Sequence, residues 1–211
     1  MCGIVGLFAK RPDVEERLGA LLGDMLGQMA DRGPDSAGLA VYRDPAPAGS
    51  TKLSLHSEDP GEDWSVLGAG VAVHASHAVV VLDGEADDVV ARVRGEFPHL
   101  RVMSAGTRIE IFKEIGDPRR FVERFDLASM AGSHGLAHTR MATESKVTTE
   151  GAHPFSTGLD LCLVHNGSLS NHNRLRRMLR REGVAFQTEN DTEVAAGYLE
   201  WRLREGDTLQ A

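Results

Sequence analysis

Apolar and polar positions along this chain change period several times, and each change marks an element. Residues 2–9, Cys2-Gly3-Ile4-Val5-Gly6-Leu7-Phe8-Ala9, are almost uniformly apolar and predict a buried strand at the very start. From 13 to 30 the apolar residues Val14, Leu18, Leu21, Leu22, Met25 and Met29 fall at helical spacing, and Asp13 with Glu16 resembles a capping box. Arg32-Gly33-Pro34-Asp35 breaks that helix. A strand is expected over 39–42 and an exposed loop over 44–50. Between 53 and 127 the character changes: an apolar run at 71–82, helical spacing at 86–97, and strand-like stretches at 101–103 and 107–115 read as a strand-helix-strand-strand insert. Buried strands are expected at 135–139 and 159–165, with a polar loop at 143–157 between them. A short helix follows at 171–181, with Leu175, Met178 and Leu179 on its apolar side. The last helix, 191–204, aligns Val194, Tyr198 and Trp201 on one face.

With 211 residues and 41% hydrophobic content the chain buries a real core, as one domain or one domain with an elaboration. Its net charge of −8 gives no general attraction to nucleic acid or to an anionic membrane surface, and favours small-molecule chemistry. Two cysteines, Cys2 and Cys162, are too few for a disulfide framework and suit a reducing cytosol. The start of the chain carries no basic leader, and the longest apolar run, 71–82, holds His74 and His77 and is too short for a bilayer span. The expected location is the cytoplasm.

Cysteine at position 2 precedes the small residue Gly3, and removal of Met1 before a small side chain would leave an N-terminal cysteine. Its α-amine, with an ordinary pKa of about 7.7–8.0, is then a built-in general base for the thiol. The bland alternative is a small buried hydrophobe. Arg140 follows an apolar strand, where a guanidinium needs an anion; a substrate carboxylate or a structural salt bridge would serve. Asn166-Gly167 ends the 159–165 stretch and is either a plain turn or a pair of oxyanion donors. Asp191 opens a helix and is either its N-cap or a buried charge awaiting a cation. His134 and His138 share spacing but lack the glutamate of a zinc-protease motif, and Gly68-Ala69-Gly70 lacks the pattern of a dinucleotide loop. Arg174, Arg176, Arg177, Arg180 and Arg181 make one short basic helix, a solvated or partner-facing surface on an acidic protein.

Five motifs occur in a fixed order: Cys2-Gly3-Ile4-Val5-Gly6, Arg32-Gly33-Pro34-Asp35-Ser36-Ala37-Gly38, His138-Thr139-Arg140-Met141-Ala142-Thr143, His165-Asn166-Gly167 and Asn190-Asp191-Thr192-Glu193. Together they resemble the class II, N-terminal-nucleophile glutamine amidotransferases over residues 2–42 and 135–204. With His153-Pro154-Phe155 and the long middle, the chain looks most similar to stand-alone amidotransferase subunits of glutamate-synthase-like complexes, including the N-methylglutamate synthase type. The resemblance implies an α+β fold, a four-layer αββα sandwich of two antiparallel sheets, with residues 2–211 as one amidotransferase domain carrying an α/β insert at about 53–127. Relatives continue with further strands past the region matching Asp191, so a C-terminally shortened sandwich is expected.

The resemblance also implies roles. Cys2 is the nucleophile, and Asn166 and Gly167 are the oxyanion donors. Arg140 binds the glutamine α-carboxylate, Asp191 its ammonium, and Thr143 and His165 contact substrate, while Arg32 organises the site. Glu144 stands where several members have histidine, which changes the substrate contacts at that corner. The implied reaction converts L-glutamine and water to L-glutamate and ammonia through a Cys2 thioester, with neither a metal nor a cofactor. Its implied partner is a separate ammonia-accepting subunit, a glutamate-synthase-like flavoprotein, in a hetero-oligomer; nucleic acid and membrane are not expected partners. Two alternatives stand beside this: a glutamine-binding structural or regulatory subunit with little turnover, and a different N-terminal-nucleophile amidohydrolase.

Overall fold

The computed structural model describes residues 2–142 and 147–209. Strand β1 (Gly3–Phe8) is followed by helices α1 (Pro12–Glu15) and α2 (Leu18–Gln28), strand β2 (Ser36–Tyr42) and strand β3 (Ser50–His56). A hairpin of β4 (Ala72–His74) and β5 (His77–Asp83) leads to α3 (Ala86–Glu96), β6 (Arg101–Gly106), β7 (Ile109–Ile115) and α4 (Pro118–Arg124). Strand β8 (His134–Arg140), α5 (His172–Arg181) and α6 (Asp191–Arg204) complete the order. The strands form two four-stranded antiparallel sheets, β1-β8-β2-β7 and β4-β5-β3-β6, in a mixed α/β architecture.

The first core lies between the β1-β8-β2-β7 sheet and helix α2. Leu18, Leu22 and Leu26, one face of α2, pack on Val5, Ala37, Leu39, Val41 and Ala137, and Phe112, Phe121 and Phe125 close the far end. The second sheet has its own core. Alternation in β3 sends Leu53 and Leu55 to one face, where Val89 and Val93 of α3 and the Trp64 and Leu67 side chains cover them. The opposite face carries Lys52, Ser54, His56 and His77 and meets the first sheet along β7. There the N–H groups of Ile109, Ile111 and Lys113 donate to Asp160 Oδ1 (2.9 Å), Ser54 Oγ (3.0 Å) and His77 Nε2 (3.3 Å). Burial holds His77 well below its ordinary pKa, which keeps on that ring the lone pair it needs as acceptor.

Several expectations change. The 2–9 strand is present but only half-buried: Val5 is 4% exposed, whereas Ile4 and Phe8 on the other face are 40% and 65% exposed. Strand β1 is a sheet edge, and α2 covers it on one side only. The 13–30 helix breaks into α1 and α2, and the capping box does not form, because Pro12 takes the first helical position and Asp13 instead pairs with Arg11. The 71–82 run folds back on itself: Ala75 adopts a left-handed conformation (φ 53°) and His74 pairs with His77. The sequence reading has no strand at 50–56, where β3 lies.

The 159–165 strand is absent. Asp160 turns left-handed (φ 52°), and its carboxylate accepts the N–H groups of Thr107, Arg108 and Ile109, so the segment is held as a turn. Only Leu163 pairs, with Phe155. Cys162 still packs against the Tyr42, Met103 and Ile111 cluster, and burial raises its thiol pKa. Both cysteines are free. Among the described residues no helix is long and apolar enough to cross a membrane.

Candidate active site

The site gathers where β1 and β8 end side by side. Gly3 pairs with Thr139, and the Gly3 N–H donates to Thr139 Oγ1 at 3.1 Å while that hydroxyl donates to Met29 O at 3.1 Å. This tie anchors the start of β1 and leaves Cys2 just beyond the last strand pair. Cys2 is half-buried, with Sγ 4.0 Å from Met141 O. Across from it, the Asn166 side-chain amide donates to Cys2 O at 3.2 Å.

Arg140, the last residue of β8, is 7% exposed, and its Nη1 donates to Gly151 O at 3.1 Å. The strand end is clamped by the Arg32-Gly33-Pro34-Asp35 turn. Gly33 lies so close that a Cβ there would sit 2.6 Å from the Thr139 carbonyl carbon, so only glycine fits. Pro34 bridges to Arg140, the Asp35 N–H donates to Arg140 O (3.0 Å), and the Asp35 carboxylate accepts the Ala142 N–H (2.7 Å). Arg32 itself is exposed in the short turn just before this clamp. Thr143 lies outside the described residues.

The third side comes from the start of α6. Asn190 is the N-cap, its Oδ1 accepting the Thr192 N–H at 2.9 Å. Asp191 is therefore not the cap, and its Oδ2 accepts the Leu169 N–H at 2.7 Å. This bond ties the loop after Asn166-Gly167 to the helix. Asn190 Nδ2 also donates to Gly151 O, the carbonyl that Arg140 uses, at 3.5 Å. Gly167 is held close to His165: a Cβ at 167 would lie 2.7 Å from His165 Nε2.

Beneath these groups lies a histidine layer in which the sequence reading named His165 as a substrate contact and His138 within a motif, but gave His153 and Thr192 no role. His165 Nδ1 is 3.4 Å from Thr192 Oγ1, which is 2.8 Å from His153 Nε2. His138 stacks on His153 with ring centroids 4.1 Å apart. Burial pulls His138 down to about 4 and His153 down to about 2, so both rings are neutral near pH 7. The signal for Thr192 was its place directly after Asp191 in a quoted motif. His153 entered the sequence reading only within His153-Pro154-Phe155, in a stretch expected to be a polar loop, although it is 5% exposed.

The structure thus brings Cys2, Arg140 and Asn166 to one strand end. It links Asp191, His165 and Gly167 to them through Gly151, Leu169 and Thr192. A half-buried thiol, a buried guanidinium, a carboxylate and an amide donor around one end of a sheet suit the capture of a small zwitterion and attack on it.

Residues 126–206 match a family model described as a glutamine amidotransferase domain. The chain is 55% identical to the glutamine amidotransferase-like protein GlxB of Rhizobium meliloti (strain 1021), over 99% of this chain and 72% of that protein. It is 30% identical to a putative glutamine amidotransferase of Methanothermobacter thermautotrophicus, over 100% of this chain and 75% of the relative. A glutamine–fructose-6-phosphate aminotransferase of Vibrio parahaemolyticus is 35% identical over 51% of this chain, which spans 18% of that enzyme. Among solved structures, the allosteric regulatory enzyme of purine biosynthesis superimposes with a TM-score of 0.50 at 19% identity, over 99% of this chain and 30% of that one. At that identity the likeness shows the fold alone.

Proposed function

Because the chain belongs to the glutamine amidotransferase family, we propose that it hydrolyses L-glutamine to L-glutamate and ammonia, with Cys2 as an N-terminal nucleophile after loss of Met1. The observation that carries this reading is the meeting of Cys2, Arg140 and Asn166 at one strand end. In the proposed reaction the Cys2 α-amine takes the thiol proton and Sγ attacks the side-chain amide carbon. The tetrahedral oxyanion is held by Asn166 Nδ2 and the Gly167 N–H. The intermediate collapses with proton transfer to the leaving nitrogen, releasing ammonia and a γ-glutamyl thioester. Water, its proton taken by the same amine, then hydrolyses the thioester to glutamate and restores the thiol.

Arg140 is assigned to the substrate α-carboxylate and Asp191 to its ammonium, with His165 and Thr143 as further substrate contacts and Arg32 organising the turn. In this assignment the guanidinium and the carboxylate offer glutamine's zwitterion one opposite charge at each end, which is the physical basis of substrate choice. We read residues 2–211 as one class II domain with an elaboration at about 53–127. Its sheets and helices are read as an αββα sandwich of the N-terminal-nucleophile type. The ammonia is assigned to a separate glutamate-synthase-like flavoprotein in a cytoplasmic hetero-oligomer; co-purification without such a subunit would count against that part.

The test is intact mass after incubation with 6-diazo-5-oxo-norleucine, together with glutamate release. One adduct on a protein lacking Met1, and loss of at least about a thousandfold of turnover in Cys2→Ala, are expected. Steady turnover in a protein that keeps Met1 would overturn the mechanism. A second reading, a glutamine-binding subunit with little turnover, draws on one observation: the Asn166 amide is engaged by the Cys2 carbonyl. Absence of glutamate release from a protein that binds glutamine would favour it.

A further inference from the structure

The chain His153–Thr192–His165 runs from the core to the Asn166-Gly167 turn, and its hydrogen-bond direction follows from one orphaned atom. His153 is 5% exposed, and among the described residues its Nδ1 is buried with no hydrogen-bonding partner. Folded proteins leave buried N–H groups without an acceptor more rarely than they leave acceptors without a donor, which favours the lone pair at this orphaned atom. The His153 proton therefore resides on Nε2, which donates to Thr192 Oγ1 at 2.8 Å. Burial excludes a second proton from this ring. Thr192, itself 1% exposed, has one hydroxyl proton, and with its oxygen already accepting from His153 that proton goes to His165 Nδ1 at 3.4 Å.

We propose that His153 and Thr192 are positioning residues that fix the His165 proton on Nε2 and aim that N–H at the Gly167 turn. His165 Nε2 already lies where a Cβ on Gly167 would be only 2.7 Å away, so the ring edge faces the peptide that carries one of the two oxyanion donors. A ring N–H there is a third dipole beside Asn166 and Gly167, set before substrate arrives and needing no reorganisation as charge develops. It also gives the Thr192 hydroxyl a role in a helix start already capped by Asn190. The catalytic consequence rests on the glutaminase reading; the tautomer does not.

The test is long-range ¹H–¹⁵N correlation on protein with ¹⁵N-labelled histidine, with the His165 signals assigned by their loss in His165→Gln. Wild type is expected to show His165 protonated on Nε2. Thr192→Val, which keeps the shape and removes the hydroxyl, is expected to release the ring into a tautomer mixture, and Thr192→Ser to restore the single form. In turnover, Thr192→Val is expected to lower kcat by about 10- to 100-fold with KM little changed, since the lost alignment acts in the transition state. Thr192→Ser should stay within a few-fold of wild type. A wild-type His165 protonated on Nδ1, or an unchanged tautomer in a folded Thr192→Val, overturns the proposal. Wild type without any glutamine turnover but with the expected tautomers would strike the glutaminase reading and leave the positioning chain standing.

Discussion

Strands β1 and β7 are the two edges of one sheet and are finished in opposite ways. On β7 the N–H groups of Ile109, Ile111 and Lys113 all end on side-chain acceptors, and Glu110 sits 4% exposed between Lys52 Nζ (3.0 Å) and Arg43 Nη1 (3.3 Å). On β1 the outward residues Ile4 and Phe8 stay exposed, and the strand start holds a thiol and the amide of Asn166. Exposed edges invite pairing with other chains, and proteins protect them with covers or charges. Here one edge is covered by a second sheet, and its polar groups are consumed in doing so. Chemistry is left to the other, where groups remain within reach of solvent.

Removing a charge from the covered edge is expected to give the largest effect on stability. Glu110→Gln keeps the shape but leaves Lys52, whose side chain is 8% exposed, without its counter-charge. Breaking a buried ion pair from one side costs about 3–5 kcal/mol, read as a lower urea midpoint at unchanged slope. A loss below about 1 kcal/mol would mean that solvent reaches this edge and that the contrast with β1 is false.

A smaller effect is expected from Asp160→Asn. All four of its partners are donors, the N–H groups of Thr107, Arg108 and Ile109 and the Thr107 hydroxyl, so an amide must turn a donor toward one of them. The expected cost is about 1–3 kcal/mol at pH 7. Burial alone would raise the Asp160 carboxyl, but these hydrogen bonds outweigh it and hold it below its ordinary value. The folded carboxyl titrates below the unfolded one, so its stabilisation is complete above about pH 3.9 and vanishes as pH falls through the folded value. The gap in melting temperature between wild type and Asp160→Asn should therefore be flat near neutrality and close in acid. A gap that widens in acid would give Asp160 a different role.

The same contrast governs how much the sequence revealed. Periodicity found α3 because Val89 and Val93 pack one apolar stripe on the second sheet, so local spacing and tertiary environment agree; α6 forms where expected, but of its expected face only Val194 and Trp201 pack, while Tyr198 is 38% exposed. It failed at 159–165, where alternation around Cys162 serves burial against Tyr42 while the backbone is bent by the Asp160 carboxylate reaching residues 107–109. That bend depends on a contact some fifty positions away, which no window of neighbours contains. At the site, Arg140, Asn166 and Asp191 could be singled out as candidates from local sequence alone, as polar residues beside apolar stretches or at an expected helix start, and their assigned roles remain part of the proposal. Thr192 and His153 were not, because their partners are each other and His165, brought together only by the fold.

The smallest expected effect tests the open edge directly. Phe8 is 65% exposed and leans on His134 at 5.5 Å, a ring that already stacks on Tyr42 at 4.0 Å. If β1 faces water in the isolated protein, Phe8→Ser removes only one tilted ring contact, and its cost should stay within about 0.5 kcal/mol. Melting temperatures of both proteins, each at two concentrations a hundredfold apart, check this. A concentration-independent difference of under about 2 °C is expected for a domain of this size. A loss well above 1 kcal/mol that grows with protein concentration would instead mean that Phe8 is buried against a second molecule. Edge β1 would then be covered like β7, and access to Cys2 would have to come from the Asn166 side.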